Sequence, residues 1–193
     1  MLRTYTIRQQ RHAEIDVDFV VHDQTGPASA WAISAKAGDR ILVGGPGPKK
    51  IINHQADWYF LVGDMTALPA IAVNLEQLPS NARGYALIEV ISEADIQSLN
   101  HPENMELHWL INPQPDPEGD SLLSELKTLH WLPGQAAVWA ATEFSSMRKL
   151  RAFFKHHCGI PRTHLYVSSY WKIGYSEDQH KVAKKQDAEM QAA

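Results

Sequence analysis

The sequence predicts a small antiparallel β domain followed by an open α/β domain with a mostly parallel sheet. Residues 14–21 alternate apolar and acidic side chains, which is the pattern of an antiparallel strand with one solvated face. From Asp57 onward, continuous apolar runs alternate with helix-like segments, as expected for βαβ units around a parallel sheet. We therefore divide the chain into a β domain, residues 1–54, and an α/β domain, residues 55–193.

The β domain has sequence for three short strands, at residues 3–8, 14–21 and 39–44. A run of glycine and proline follows the third strand, from Gly44 to Pro48, and it cannot continue a strand ladder. Three strands cannot close a barrel, and an open sheet leaves unpaired edges. We therefore expect another domain or further chain to complete this sheet.

The α/β domain has five apolar runs that we predict as buried strands, at residues 58–62, 85–91, 107–111, 137–141 and 165–168. Between them, three segments carry apolar side chains at helical spacing, around Ile71, Leu126 and Leu150. The polar residues after Gly174 predict a C-terminal helical tail. In open sheets of this kind ligands bind at the carboxyl ends of the strands, so functional side chains are expected there.

Composition and charge argue against several function classes. The net charge of −4 over 193 residues gives no overall attraction to nucleic acid or to an anionic membrane. No apolar run approaches the roughly 20 residues that span a bilayer, and we expect no secretion signal. The one cysteine, Cys158, cannot form an internal disulfide, which favours a reducing compartment and a cytoplasmic location.

The first predicted strand carries groups that suit a flavin cofactor. Arg3 can meet a phosphate, Tyr5 offers an aromatic face, and Thr6 has a hydroxyl that can bind a ring nitrogen. An ordinary strand rich in threonine and tyrosine is the alternative interpretation.

Small residues follow the second predicted strand. Gly26, Ala28 and Ser29 leave room for a ligand to approach the backbone, and the Ser29 hydroxyl can donate to a pyrophosphate. The alternative is a hairpin loop whose Trp31 fills the core, and the residues alone leave both interpretations open.

Two turns of the α/β domain offer further candidates. Gly63 allows a tight turn after the first apolar run, Thr66 can cap the next helix, and the amino end of that helix suits a phosphate. The dinucleotide fingerprint G-x-G-x-x-G is absent there, so a capped turn without a ligand is the favoured alternative. In the second turn, Thr142 is the predicted N-cap and Glu143 is a weaker candidate for facing a cofactor.

Two other clusters of polar residues are not predicted as functional sites. His156, His157 and Cys158 look like metal ligands, but successive helical residues diverge by about 100° and no second ligand pair has suitable spacing, so no metal site is predicted. A basic helix face is interpreted as solvated surface, with an anion site as the alternative; its residues are Arg148, Lys149, Arg151 and Lys155.

A series of motifs runs through nearly the whole chain in one order. The first ones are Arg3-x-Tyr5-Thr6-x-Arg8, His22, Gly26-Pro27-Ala28-Ser29-x-Trp31-Ala32, Ala37-Gly38-Asp39 and Gly45-Pro46. The later ones are Asp57-Trp58-Tyr59, Gly63-Asp64-x-Thr66-Ala67-Leu68-Pro69-Ala70-Ile71, Val138-Trp139-Ala140-Ala141-x-Glu143 and Tyr170-Trp171-Lys172-x-Gly174-x-x-Glu177. With these motifs, the chain resembles the siderophore-interacting proteins, the ferric-siderophore reductases related to vibriobactin-utilisation reductases.

The resemblance implies a ferredoxin-reductase-like fold, with a partial FAD-binding β-barrel followed by an NAD(P)-binding-like α/β domain. It also implies an FAD-dependent reductase that passes electrons from NAD(P)H, or from ferredoxin, to siderophore-bound Fe(III) and releases Fe(II). Family members carry further residues before the Arg-x-Tyr-Thr strand, so the barrel strands of residues 1–54 are expected to be incomplete. A flavin reductase with another acceptor stays an alternative, as does a non-catalytic fragment that binds nucleotide or siderophore.

The resemblance also implies the site residues, matched one by one to the motifs. For FAD they are Arg3, Tyr5, Thr6, His22, Gly26, Pro27, Ala28 and Ser29. For the nucleotide side of the crevice they are Asp64, Thr66, Ala67 and Glu143. For the siderophore, which is commonly anionic, the candidates are Lys49, Lys50, Trp171 and Lys172. Met65 and Thr142 depart from the family pattern, in which the first position is often polar or acidic and the second is commonly glycine.

Overall fold

The computed structural model describes residues 3–21, 26–115 and 117–192 and divides into two compact units. Unit 1 is Met1–Lys50 and unit 2 is Ile51–Ala193. The antiparallel strands lie in unit 1 and the parallel sheet lies in unit 2, so the predicted fold class is confirmed. The division into a flavin domain and a nucleotide domain at residues 54 and 55 stays a prediction.

Unit 1 contains one short hairpin and one helix among its described residues. Strands β1 (Gln9–Gln10) and β2 (Ile15–Asp16) pair antiparallel. Arg11 closes the hairpin, because its guanidinium donates to the carboxylate of Asp16 at 2.8 Å. Helix α1 (Pro27–Ser34) begins with a proline, whose restricted φ suits the first helical turn.

Several expectations for unit 1 were wrong. Residues 3–8 and 39–44 form no strand, and only Ile15–Asp16 of residues 14–21 does so. Arg8 extends the pairing of the hairpin beyond β1, since its backbone N–H donates to the carbonyl oxygen of Asp16 at 2.8 Å. The alternative of a hairpin loop before Trp31 is also wrong, since helix α1 contains that residue.

Unit 2 is built on a five-stranded parallel sheet in the order β5–β4–β3–β6–β7. The strands are β3 (Trp58–Asp64), β4 (Arg83–Val90), β5 (Asn104–Ile111), β6 (Ala136–Glu143) and β7 (Leu165–Trp171). They coincide with the five predicted apolar runs. All seven residues of β3 are buried, as expected for a central strand that is covered on both faces.

Helices cover both faces of this sheet. In the described part of unit 2 they are α2 (Leu68–Gln77), α3 (Ser121–Leu126), α4 (Phe144–Ala152) and α5 (Glu177–Ala192). Short 3₁₀ turns lie at Glu93–Asp95 and Arg162–His164, and a π turn extends α4 at Phe153–His157. The predicted helices and helical tail are therefore confirmed. Within the described residues, no helix has the length and apolar character needed to cross a membrane.

The core consists of two apolar clusters, one on each face of the sheet. One cluster joins α2 to the sheet and includes Leu61, Ile71 and Ile88. The other joins α3 and α4 to the opposite face and includes Phe60 and Leu150. Because both faces are packed, the carboxyl ends of the strands are held in fixed positions.

Gly63 brings the turn after β3 close to its neighbours. A Cβ atom at this position would lie 2.7 Å from Ile71 Cδ1, 2.8 Å from Ala67 Cβ and 2.9 Å from the carbonyl oxygen of Ala141. These distances are too short for any side chain, so only glycine allows α2 and β6 to approach β3 this closely. The turn that follows is thereby held at the carboxyl edge of the sheet.

Helix α5 is attached largely through polar contacts. His180 Nε2 lies 2.7 Å from the hydroxyl of Ser169 on β7. Asp187 accepts two hydrogen bonds from Arg151 of α4, at 2.7 and 2.9 Å. The polar composition of the tail is therefore compatible with docking, because its buried polar groups have partners.

Candidate functional site

The order of the strands creates a switch point between β3 and β6. From β3 the chain adds β4 and β5 on one side, and then it crosses over to add β6 and β7 on the other side. In such sheets, ligands bind in the crevice outside the carboxyl ends of the strands at the switch. Asp64 ends β3 and Glu143 ends β6, so these two predicted residues lie at this point.

Asp64 accepts four hydrogen bonds at the end of β3. Its Oδ1 accepts the backbone N–H of Thr66 at 2.9 Å and the hydroxyl of the same residue at 2.5 Å. Its Oδ2 accepts the backbone N–H of Glu143 at 2.9 Å and the indole N–H of Trp171 at 2.8 Å. One carboxylate thus joins the ends of β3, β6 and β7.

The pKa of Asp64 is raised above its ordinary value, mainly because burial desolvates the charged carboxylate. The hydrogen bonds from Thr66, Trp171 and Glu143 oppose this shift, since each of them stabilises the ionised form. All of these partners donate, so the geometry is matched to an ionised carboxylate. Protonation of the Asp64 carboxylate would place a hydrogen opposite these N–H and O–H donors. We therefore expect this set of hydrogen bonds to weaken at acidic pH.

Trp171 has a structural contact that the sequence did not indicate. It ends β7, and its indole N–H reaches across β6 to Asp64. The two residues are 107 positions apart, and only the strand order of the sheet brings them together. The predicted contact of Trp171 with a siderophore stays a prediction.

Glu143, and not Thr142, is the N-cap of α4. One carboxylate oxygen, Oε2, accepts the backbone N–H groups of Ser145 and Ser146, and the other, Oε1, accepts the N–H of Ile173 at 3.2 Å. The prediction of Thr142 as cap was wrong, because β6 continues through Thr142 to Glu143 and the helix begins only at Phe144. The Thr142 hydroxyl donates to the carbonyl oxygen of Glu143 instead.

Thr66 and Ala67 also lie beside Asp64, in the turn before α2. Thr66 was predicted as a cap, but Ala67 occupies the N-cap position, and the Thr66 hydroxyl is donated to Asp64. Ala67 is fully buried, and its Cβ packs against the backbone of Gly63, where no side chain would fit. The structure thus brings all four nucleotide-side candidates to one edge: Asp64, Thr66, Ala67 and Glu143.

Glu89 is a further acidic residue at this edge, and the sequence analysis missed it. It is opposite Asp64 in the β3–β4 ladder and is 8% exposed. Its Oε2 accepts the hydroxyl of Ser121 at 2.5 Å and the side-chain amide of Asn112 at 3.2 Å. A glutamate inside an otherwise apolar strand was the available signal, because a buried carboxylate requires a reason.

Lys172 directly follows β7 and packs over two aromatic rings. Its Nζ lies 4.7 Å from the ring centre of Phe144 and 4.0 Å from that of Tyr175. These distances are within the range of cation–π interactions, so the ammonium is held near the start of α4. Lys49 and Lys50 are exposed near the end of unit 1. The siderophore roles of these three lysines stay predictions.

The basic face of α4 lines a groove of about 490 Å³. Its cationic side chains are Arg148, Lys149, Arg151, Lys155 and Lys172, with Glu118 also in the lining. Carboxylates pair with three of these cations, since Asp187 binds both Arg148 and Arg151, and Asp120 lies 2.7 Å from Lys149. Much of the face is therefore an ion-pair network on the surface.

The FAD candidates of unit 1 lie near a small aromatic cluster and a helix start. The rings of Tyr5 and Phe19 are 4.6 Å apart, and that of Trp31 is 6.2 Å from Phe19. Among the described residues, a Cβ atom on Gly26 would meet the Ser29 hydroxyl at 3.9 Å and no other atom within 4 Å, its chain neighbours apart, so on this side its backbone is open to approach.

The other FAD candidates are Arg3, Thr6, Pro27, Ala28 and His22. Arg3 and Thr6 are half-buried, and Pro27 and Ala28 form the first turn of α1. His22 lies outside the described residues.

Within the described ranges, no group of three or more histidine, cysteine, aspartate or glutamate side chains could hold a metal ion. His156 and His157 lie in the π turn, and Cys158 follows it; burial raises the pKa of the Cys158 thiol to about 11.

Two family models match the chain, one in each unit. The siderophore-interacting FAD-binding domain matches residues 1–50, and the siderophore-interacting protein model matches residues 56–174. Together they cover the segments that contain the motifs and the polar cluster at the switch point.

Curated relatives include two reductases. Ferric vibriobactin reductase ViuB of Vibrio cholerae is 35% identical over 180 residues, covering 91% of this chain and 66% of that protein. Ferric acinetobactin reductase of Acinetobacter baumannii is 28% identical over 180 residues, covering 92% of this chain and 63% of that protein. The chain thus spans about two thirds of the length of these relatives.

A solved structure shares the fold. The crystal structure of the siderophore-interacting protein SipS from Aeromonas hydrophila matches with a TM-score of 0.85 and 34% identity. The match covers 97% of this chain and 74% of that one. With the family model over residues 56–174, this similarity places the chain in the siderophore-interacting protein family.

Proposed function

We propose that this protein is an FAD-dependent ferric-siderophore reductase that takes electrons from NAD(P)H, with ferredoxin as an alternative donor, and releases Fe(II). One observation carries the proposal: an FAD-binding domain match at residues 1–50 precedes a parallel sheet whose switch point holds an organised polar cluster. The names of the vibriobactin and acinetobactin reductases support the substrate class.

The donor groups of unit 1 fit FAD. Tyr5 supplies an aromatic face, Arg3 a cation for phosphate, and Thr6 a hydroxyl. The first turn of α1 adds backbone N–H groups and the open backbone of Gly26, which suit a pyrophosphate. Bound FAD would supply the electron transfer itself, between the reduced donor and Fe(III).

On the nucleotide side, we propose that the residues at the switch point position the dinucleotide. Asp64 holds the turn before α2 and the cap of α4 in one arrangement, because its oxygens bind Thr66 and Glu143. The turn after β3 is where a dinucleotide phosphate meets the sheet in folds of this class. Thr66 and Ala67 would then lie next to the phosphates.

The siderophore side of the proposal rests on local positive charge. Lys172 is oriented by its aromatic contacts near the start of α4, and Trp171 beside it is fixed by Asp64. Lys49 and Lys50, two exposed residues of unit 1, stay separate candidates for contact with the siderophore. Such cations attract an anionic ferric complex despite the net charge of −4. The proposal sets this reaction in the cytoplasm, where the single cysteine stays reduced.

The test is a visible absorption titration of the purified chain with FAD, followed by NADH or NADPH and then a ferric siderophore with an Fe(II) chelator. We expect a bound-flavin spectrum that bleaches with the donor and recovers as Fe(II) is trapped. Thr6→Val should weaken FAD binding, while Thr4→Val, at an exposed position nearby, should leave it unchanged.

Other outcomes identify the alternatives. Reduction of bound FAD without Fe(II) release would favour a flavin reductase that serves another acceptor. Binding of siderophore or nucleotide without any FAD would favour a non-catalytic module. A chain that ignores FAD and gives no Fe(II) overturns the proposal.

A further inference from the structure

Helix α5 places two basic side chains against β7, which is an edge strand of the parallel sheet. His180 and Lys184 are four residues apart and therefore share one face of the helix. His180 Nε2 lies 2.7 Å from the hydroxyl of Ser169. Lys184 Nζ donates to the hydroxyl of Ser168 at 2.7 Å and to the carbonyl oxygen of Ser169 at 3.0 Å. The two bases thus belong to one contact with β7, in which His180 and both serines are buried.

The surroundings of the His180 ring are positively charged on balance. The charged side chains that act on it are three cations and one carboxylate: Lys172, Lys181, Lys184 and Glu177. The carboxylate is shared, because Glu177 Oε1 also lies 2.9 Å from Lys181 Nζ. Strand β7 contributes the neutral hydroxyl of Ser169, and helix α4 contributes the edge-on ring of Phe144 at 6.4 Å. A positive charge on His180 would therefore be poorly compensated.

The imidazole of His180 is neutral in the docked helix at neutral pH. Burial lowers the pKa of His180, and the charge of Lys184 lowers it further. When α5 leaves the sheet, the ring regains its ordinary pKa of 6.5 and takes up a proton below that pH. Because the released helix then binds more protons than the docked one, docking is strongest above pH 6.5 and weakens as the pH falls toward the folded-state pKa.

We propose that the contact between His180 and Ser169 is a pH-dependent latch, which holds α5 on β7 at neutral pH and releases it in mild acid. Release would uncover the two serines at the edge of the sheet and one side of the Phe144 ring, over which Lys172 lies at 4.7 Å. The latch requires neither FAD nor siderophore, so it goes beyond the proposed function and can be tested independently of it.

The second attachment of α5 responds to a different range of pH. Asp187 binds Arg151 through both oxygens and lies 3.4 Å from Arg148. The hydrogen bonds from Arg151 lower the pKa of Asp187 below its ordinary value of 3.8, so this carboxylate stays ionised in mild acid. A change in docking between pH 7.5 and pH 5.5 therefore reports on the first attachment and not on this one.

Hydrogen–deuterium exchange of the purified chain at pH 7.5 and 5.5, corrected for intrinsic exchange rates, measures the docking. An undocked helix of this length is marginally stable in water, so release appears as faster exchange of its amides. We expect the protection of residues 177–184 to fall severalfold at pH 5.5, where uptake of one proton limits the fall to about tenfold. Residues 58–64 of β3 should keep their protection, because the core does not depend on the latch.

Three variants assign the effect to one side chain. His180→Gln can keep a hydrogen bond to Ser169 but takes up no proton in this range, so its protection at the two pH values should agree within about twofold. Lys184→Gln removes the neighbouring charge and should lessen the fall, because His180 is then protonated more easily in the docked helix. His130→Gln is the matched control: His130 is exposed between α3 and β6, and the variant should keep the wild-type fall.

Several results would overturn the latch. They are equal protection of residues 177–184 in the wild type at both pH values, an undiminished fall in His180→Gln, and loss of protection in β3 together with α5. If His180→Gln does not dock α5 at pH 7.5, Lys184→Gln decides, and a fall as large as that of the wild type overturns the proposal.

Discussion

Apolar residues of the central strand β3 in unit 2 are buried, whereas those at residues 41–43 of unit 1 are exposed. In β3, every residue is buried between two layers of helices. In unit 1, Ile41, Leu42 and Val43 are 58, 96 and 68% exposed, although their sequence is equally suited to a strand. β propensity therefore produces a strand only where a partner strand and a covering layer are present. Four pairs of variants, one member in each unit, test this difference between the units.

The largest effect is expected from glycine substitutions. Gly84 of β4 has a φ of 136°, and a Cβ atom there would lie 2.0 Å from the carbonyl oxygen of Tyr59. Gly84→Ala should lower the free energy of unfolding by about 4 kcal/mol, because backbone strain and a steric overlap with the main chain combine. For Gly44→Ala in unit 1, no atom of the described residues lies within 4 Å of the new carbon, its chain neighbours apart, and stability should change by less than about 0.5 kcal/mol in urea unfolding. Similar losses for both variants would contradict the comparison.

A matched pair of leucines tests burial directly. Leu61 of β3 has no exposed surface, whereas Leu42 of unit 1 is 96% exposed. Leu61→Ala should destabilise the protein by about 3 kcal/mol, because it leaves a cavity in the core. Leu42→Ala should leave the denaturation midpoint nearly unchanged. A large loss for Leu42→Ala would mean that this side chain is covered in solution.

Two arginine–carboxylate pairs test electrostatics in the same way. Asp187 binds Arg151 through both oxygens, its side chain is 4% exposed, and its pKa is lowered mainly by these hydrogen bonds. A carboxyl group with a lowered folded-state pKa stabilises the protein above its ordinary pKa, and this contribution is lost as the pH falls toward the folded-state value. Asp187→Asn should therefore cost about 2 kcal/mol at neutral pH, with the difference from wild type shrinking below about pH 4.

The corresponding pair of unit 1 is exposed. Arg11 also binds Asp16 through both oxygens, but the two side chains are 41 and 44% exposed. We expect Asp16→Asn to give no measurable change in the pH dependence of unfolding, because solvent screens this pair. Equal pH profiles for Asp16→Asn and Asp187→Asn would show that burial does not separate the two units.

The smallest effect concerns one hydrogen bond at the switch point. Trp171→Phe keeps an aromatic ring but removes the donor to Asp64, and it should cost about 1 kcal/mol of stability. In unit 1, Trp31 has a ring contact with Phe19 at 6.2 Å that a phenylalanine can largely retain, so Trp31→Phe should cost less. If the wild type and Trp171→Phe unfold at the same urea concentration, the indole bond does not stabilise the edge.

The sequence predicted the elements of unit 2 because their signals are local. A continuous apolar run such as that of β3 indicates a buried strand, and apolar spacing around Ile71 and Leu150 indicates helices. Gly63 was recognised because glycine marks a tight turn at a strand end, whereas Glu143 was singled out only as a candidate for facing a cofactor and Thr142 was predicted as the cap. Alternation in residues 14–21 misled the prediction for unit 1, since pairing depends on a partner that the pattern cannot supply.

The sequence by itself determined the fold class, the order of the parallel-sheet elements and the turns on which candidate residues lie. Only the tertiary structure decided that Trp171 binds Asp64 and that Glu89 stands opposite it, because strand order and register join residues that are far apart in the chain. It also decided that Glu143 caps α4, since β6 pairs with β7 as far as Glu143 and the helix begins only after this residue. Local patterns specify what an element is, whereas pairing between distant segments specifies which side chains meet.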